Sequence, residues 1–169
     1  MCGVVGVLEG RGPGLGRRLE PIVRGMVETL LHRGPDDVGY WSDETHGLAL
    51  GHSRLSVVDL TEAGSQPMSS SDGRWTIAYN GELYNTDELR QRLGRAATGG
   101  FRGHSDTEIL VEAIAKWNFP TAVSRANGMF ALAAWDSKNQ QLWLARDRFG
   151  EKPLYYAVHQ GSVLFASEL

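Results

Sequence analysis

Apolar residues recur along this chain with two different periods, and the changes between them mark out its elements. Leu19, Ile22, Val23, Met26, Val27 and Leu30 fall at i, i+3, i+4, i+7 spacing, which predicts an amphipathic helix. His32-Arg33-Gly34-Pro35 ends it, with cations in the last turn, a glycine able to turn left-handed and a proline that forbids continuation. Before it, Cys2 to Leu8 reads as a short buried strand in which Gly3 and Gly6 allow close backbone approach. Gly10 to Gly16 reads as a plain loop, because its glycine spacing fits neither a dinucleotide fingerprint nor a P-loop.

Strands are expected over Gly39 to Ser42, Leu48 to Leu55 and Trp75 to Asn80. Thr86 is placed to cap a short helix reaching Leu93. Ser105 with Glu108 matches a capping box, opening a helix that buries Ile109, Leu110, Ala113, Ile114 and Trp117. A further short helix is expected near Thr121 to Ala126. The last third turns to β. Phe130 to Asp136 and Gln141 to Arg146 flank a polar connection of hairpin length, and Leu154 to Val158 and Val163 to Ser167 flank His159-Gln160-Gly161. Strands at both ends with helices between them argue an α+β class or layered sheets, not a βαβ repeat.

At 169 residues the chain fits one domain, and 41% hydrophobic with 22% charged residues is ordinary for a globular protein. A net charge of -3 with no basic stripe argues against nucleic acid as a partner. The apolar runs fall far short of the ~20 residues a bilayer needs, so no membrane partner is expected. The start of the chain lacks the basic and apolar stretches of a signal peptide. A cytoplasmic location follows, and the single cysteine suits a reducing compartment.

That cysteine stands at position 2. A lone cysteine is most often a small buried hydrophobe. Removal of Met1, however, would put a thiol and an α-amine on one residue, and such amines titrate near ~7.7–8. Nucleophile and base would then come as a unit. A thiol attacking an amide also needs donors for the developing oxyanion. Asn80 and the Gly81 N–H offer a pair, although Asn-Gly is equally the favoured dipeptide of a type I′ turn. Arg54, inside an otherwise apolar run, suits a ligand carboxylate or an internal acid such as Asp59. Asp106, just inside the Ser105 cap, suits a ligand ammonium or simply the helix dipole. The histidines lack metal-ligand spacing and one cysteine cannot build a zinc cluster, so no metal is expected.

Single residues leave each of these alternatives open; their order along the chain carries more. Met1-Cys2-Gly3, His32-Arg33-Gly34-Pro35-Asp36, Arg54-Leu55-Ser56-Val57-Val58-Asp59, Gln66-Pro67, Tyr79-Asn80-Gly81-Glu82 and Ser105-Asp106-Thr107-Glu108 together resemble the glutaminase domain of the asparagine synthetase family. So do Gly128-Met129-Phe130-Ala131, Ala145-Arg146-Asp147-Arg148-Phe149-Gly150, Lys152-Pro153-Leu154-Tyr155-Tyr156 and Phe165-Ala166-Ser167-Glu168-Leu169. The resemblance spans essentially the whole chain, 1–169.

It implies a four-layer αββα sandwich of the N-terminal-nucleophile (Ntn) hydrolase type, with two mainly antiparallel sheets. It implies that Cys2 is the nucleophile and its freed amine the base, with Asn80 and Gly81 as the oxyanion hole. Arg54 would take the glutamine carboxylate, Asp106 and Glu82 its ammonium, and backbone near Leu55, Val57 and Val58 would line the pocket. The activity implied is hydrolysis of glutamine to glutamate and ammonia through a thioester, with no cofactor in this domain. Ammonia would pass to an ATP-dependent synthetase domain, normally on the same chain but absent from this one; ATP and magnesium would belong there. The acceptor, aspartate or another carboxylate, is left open, as is a homodimer of the longer protein. The alternative is a degenerate, glutaminase-like scaffold for a synthetase that uses free ammonia.

Overall fold

The structure, a computed structural model, describes residues 1–9, 15–56, 62–94 and 100–169. In chain order the elements are β1 (Gly3–Leu8), α1 (Leu15–Thr29), β2 (Asp37–Asp43), β3 (Leu48–Arg54), β4 (Met68–Ser69), β5 (Trp75–Leu83), α2 (Thr86–Leu93), α3 (Asp106–Trp117), α4 (Phe119–Arg125), β6 (Gly128–Asp136), β7 (Gln141–Arg146), β8 (Tyr155–His159) and β9 (Ser162–Ala166). Among the described residues they form a five-stranded sheet, β2-β3-β1-β9-β8, and a four-stranded sheet, β4-β5-β6-β7. Every pairing is antiparallel.

Three apolar clusters set the layer order. Leu19, Val23, Val27 and Leu30 of the α1 region pack against Val5, Val7 and Ala49 of the larger sheet. Val4, Leu48, Leu50 and Phe165 of that sheet meet Ala78, Ala131, Ala133 and Trp135 of the smaller one. The outer face of the smaller sheet, with Ile77, Tyr79 and Leu132, is covered by Leu89, Ile109, Leu110 and Phe119 from the remaining helices. The result is helix, sheet, sheet, helices: the α+β class and the αββα order that the resemblance implies. The approach of α1 depends on Gly51, where a Cβ would stand 2.5 Å from Val27 Cγ2.

Several local expectations are corrected. Helix α1 begins at Leu15, inside the stretch read as loop, while Gly10 to Gly14 lie outside the described residues. Ile22 is 47% exposed, since the buried stripe is narrower than the apolar pattern. Thr86 is the first residue of α2; its cap position is Asn85, which makes no capping hydrogen bond. Ser105 does cap α3 by accepting from the Glu108 N–H, but the box is not reciprocal. Glu108 instead takes the N–H groups of Arg102 and Gly103 at 2.7 and 2.9 Å. Asn80-Gly81 is not a turn. β5 runs on to Leu83, with Asn80 opposite Ala131 and Gly81 opposite Phe130.

Candidate active site

The two-residue alternation of strands decides which side chains meet. On β3, Leu48 and Leu50 face the smaller sheet, so His52 and Arg54 do too; Ala49 faces α1. On β1, Val4 faces the smaller sheet while Val5 and Val7 face α1, which puts the preceding even position, Cys2, on the inter-sheet side. On β5, Ala78 faces the larger sheet, and Asn80 and Glu82 follow it. Three strands that are remote in sequence thus direct Cys2, Arg54, Asn80 and Glu82 toward one gap. There they line an open cavity of about 230 Å³, together with Leu55 and Asp106. That is somewhat below the ~300–1,000 Å³ typical of sites for drug-sized ligands.

The edge of β5 supplies the backbone geometry. Its partner β4 is two residues long and pairs only with Thr76 and Ile77. Beyond that point the outward N–H groups of β5 need other acceptors. Tyr79 N–H donates to Gln66 Oε1 at 2.7 Å, and Leu83 N–H donates to Asp106 Oδ2 at 3.0 Å. Gly81 lies midway between these two, so its N–H leaves the same edge. Its opposite number agrees, because Phe130 exchanges its backbone groups with Asp147 and not with β5. Gly81 admits no side chain: a Cβ would stand 2.5 Å from Met129 O and 2.6 Å from Phe130 Cβ. Beside it Asn80 is 2% exposed, and its Nδ2 has no hydrogen-bond partner. An orphaned amide donor next to a strand-edge N–H is an arrangement suited to an oxyanion, and a buried unpaired donor costs about 1–3 kcal/mol unless a ligand completes it.

The nucleophile candidate is held by its backbone. Arg33 Nε donates to Cys2 O at 3.1 Å, and Arg33 Nη1 donates to Glu168 Oε1 at 2.7 Å. Arg33 with His32 accordingly holds the Glu168 carboxyl below its ordinary value. The His32-Arg33-Gly34 segment, which reads as a helix stop in the sequence, is therefore also a clamp on the Cys2 peptide. Leu55 N–H lies 3.4 Å from Cys2 Sγ. The Met1 amine donates to Arg33 O at 2.9 Å, and its sulfur lies 3.4 Å from Lys152 Nζ.

The residues expected to meet a ligand's charged groups are also brought in. Arg54 is 8% exposed on the cavity wall. Asp106 Oδ2 accepts from the Tyr79 hydroxyl at 2.8 Å as well as from Leu83. Burial pushes the Asp106 carboxyl above its usual range, against the opposing pull of those hydrogen bonds. Burial and the neighbouring Asp106 likewise raise the Tyr79 hydroxyl well above its ordinary value. Val57, Val58 and Asp59 lie outside the described residues. Gln66, Tyr79, Thr107 and Lys152 also line the cavity and were not singled out one by one from the sequence. Gln66 answers a need that only the strand pairing creates: a strand much longer than its neighbour needs side-chain acceptors at its edge. Among the described residues no group of three or more His, Cys, Asp or Glu could hold a metal, and no helix is long and apolar enough to cross a membrane.

Comparison with known proteins bears on what this cavity is. The family described as "Glutamine amidotransferase domain" matches residues 1–169. Asparagine synthetase [glutamine-hydrolyzing] 3 of Bacillus subtilis is 43% identical over all of this chain and 27% of its own length. Asparagine synthetase [glutamine-hydrolyzing] 1 of the same organism is 41% identical over 99% of the chain and 26% of its own length. Amidase chry2 of Gibberella zeae is 38% identical over the whole chain and 26% of its own length. The chain thus spans about a quarter of the length of these relatives. Among solved structures, B. subtilis glutamine phosphoribosylpyrophosphate amidotransferase, complexed with ADP and GMP, superposes with a TM-score of 0.76 at 22% identity. It covers 98% of this chain and 42% of its own, a likeness of fold.

Proposed function

We propose, from the premise that the chain belongs to the glutamine amidotransferase family, that it hydrolyses the side-chain amide of glutamine with Cys2 as nucleophile. The observation that carries this reading is the orphaned Asn80 Nδ2 beside Gly81, in the cavity that Cys2 also lines. Removal of Met1 frees the Cys2 amine, which takes the thiol proton. The sulfur bonds to the amide carbon of glutamine, and the carbonyl oxygen becomes an oxyanion between Asn80 and Gly81. Collapse breaks the C–N bond as the ammonium of Cys2 gives its proton to the leaving nitrogen, releasing ammonia and leaving a γ-glutamyl thioester. Water, deprotonated by the same amine, attacks the thioester; glutamate leaves and the thiol is restored.

Arg54 supplies the cation for the substrate carboxylate, Asp106 and Glu82 the anions for its ammonium, and the backbone at Leu55 the wall nearest the sulfur. Together they favour a free α-amino acid over a generic amide. The relatives' names and greater length support a longer protein in which ammonia passes to an ATP-dependent synthetase domain, with aspartate as the default acceptor. A cytoplasmic location fits the lone cysteine.

Intact mass combined with a glutaminase assay on wild type and Cys2→Ala tests the proposal. The expected result is a mass lacking Met1, with glutamate released by wild type and none by the variant. Processed protein that releases no glutamate, and that a glutamine-like diazo-ketone does not label, would leave the chain as a scaffold.

A further inference from the structure

The nucleophile and the oxyanion donors sit on different sheets: Cys2 precedes β1 of the larger, and Asn80 and Gly81 belong to β5 of the smaller. Beneath the cavity the two sheets meet mainly through Val4, Leu48, Leu50, Ala78, Ala131 and Phe165. Contacts of this kind are non-directional. They hold the sheets together without fixing to a few tenths of an ångström how one lies over the other. Catalysis is sensitive on that scale, since a misplacement of about 1 Å can cost about 100-fold in rate.

Polar side chains also tie the two sheets: at the far end of the strands Trp135 Nε1–H donates to Asp43 Oδ2 at 3.1 Å, and beside the site stands His52. His52 is 1% exposed and stands on β3 directly opposite Val4 of β1, two residues from Cys2. Its Nε2 lies 3.1 Å from the carbonyl oxygen of Tyr79, the residue immediately before Asn80. A carbonyl only accepts, so Nε2 carries the proton, and the Nδ1 lone pair is buried without a partner. An aromatic hydrocarbon would fill this position without stranding a nitrogen, so packing alone does not explain an imidazole. The Tyr79 N–H is already taken by Gln66 and its hydroxyl by Asp106. His52 adds a hold from the nucleophile's own sheet.

We propose that His52 is a positioning residue for amide hydrolysis, its Nε2–H···O bond to Tyr79 locking the Asn80–Gly81 donors of one sheet in register with Cys2 of the other. It touches no substrate and acts through the Tyr79–Asn80 peptide. The inference rests on the glutaminase reading. It separates two properties that ordinary destabilisation would damage together: the reactivity of the thiol, which belongs to the larger sheet, and stabilisation of the oxyanion, which belongs to the smaller.

The test compares His52→Phe, which fills the space but leaves Tyr79 O unpaired, with His52→Gln, whose Nε2 reaches the same oxygen. For each, kcat and KM for glutamine are measured beside the rate at which iodoacetamide alkylates the thiol. Alkylation passes through no oxyanion, and Cys2 is the only cysteine of the chain, so added mass reports it directly. H52F is expected to lose about 10- to 100-fold in kcat, with KM within about threefold and alkylation within about twofold of wild type. H52Q is expected to recover most of the lost kcat. If H52F does not fold, His52→Asn, too short to reach Tyr79 O, takes its place with the same expectations. The inference is overturned if kcat stays near wild type in H52F, if kcat and alkylation fall together, or if H52Q is as slow as H52F. A processed wild type that alkylates normally but hydrolyses no glutamine marks the failure of the glutaminase reading itself, and overturns this inference with it.

Discussion

The hydroxyl of Tyr79 donates to Oδ2 of Asp106 at 2.8 Å, tying the residue before Asn80 on β5 to the first residue of α3. The same oxygen accepts the Leu83 N–H, so one carboxylate spans the stretch of strand edge that contains Gly81. Asp106 is therefore both a wall of the site and a splint for β5.

Asp106→Asn separates these roles by pH. Burial raises the carboxyl above its usual value, so its ionised form is lost first as pH falls toward the acid range. A carboxylate that binds the substrate ammonium must be ionised, so KM for glutamine rises in that window. The variant, which never ionises, is expected to show a high KM that no longer depends on pH there. Steady-state profiles between pH 4 and 8 check this. For folding the sign is opposite. A raised acid pKa means that the folded state binds the extra proton, so this group's contribution to stability falls as pH rises through it.

Asn80→Ala is expected to lower kcat by about 10²- to 10³-fold with little change in KM, as loss of one oxyanion donor does. Because Nδ2 has no partner in the unliganded protein, the same variant should be as stable as wild type or slightly more so. Urea denaturation beside the kinetics tests the pair of outcomes. A large loss of stability would mean that Asn80 is holding the fold.

His52 gives stability a pH dependence of its own. Burial, assisted by the Arg54 charge and opposed by the Tyr79 hydrogen bond and Asp37, holds its pKa at about 4. The unfolded chain takes up a proton near ~6.5 while the folded protein does not. Stability should therefore fall as pH drops from ~6.5 toward 4, by on the order of 3 kcal/mol from this group. His52→Gln should remove that component, leaving a shallower difference between denaturation curves at pH 7 and pH 4.5.

Asp147 organises the turn that carries Lys152 to the cavity. Against the desolvation that would raise it, the N–H groups of Glu151, Lys152, Phe130 and Phe149 hold its pKa at about 2. The stabilisation is present above the unfolded value of ~3.9 and is lost as pH falls through about 2. Asp147→Ala strands these donors, all between 3.0 and 3.1 Å from the carboxylate, and is expected to destabilise by at least about 2 kcal/mol at pH 7. Thermal unfolding of the variant at pH 7 and pH 2.5 measures both effects.

Much of this protein is local information. The helical period from Leu19 to Leu30, the Ser105 cap and the β-rich runs of the last third name their elements, because each depends on residues a few positions apart. The ordered motifs from Met1-Cys2 to Ser167-Glu168 likewise identify the family from sequence alone. What the sequence leaves open is every choice between two roles for one residue. Asn80-Gly81 reads as a turn as readily as a strand until β6 pairs through it; Asp106 reads as a dipole partner alone until Tyr79 and Leu83 close on it at the cavity wall. The His52 tie and the Gln66 acceptor have no local signature at all. They answer needs created elsewhere: a strand whose neighbour stops after two residues, and a Tyr79 carbonyl that the stacking of the two sheets sets against β3. Periodicity determines which face a side chain takes. Only the stacking of the sheets decides what that face meets, because the partners are brought together by burial of apolar surface and not by proximity along the chain.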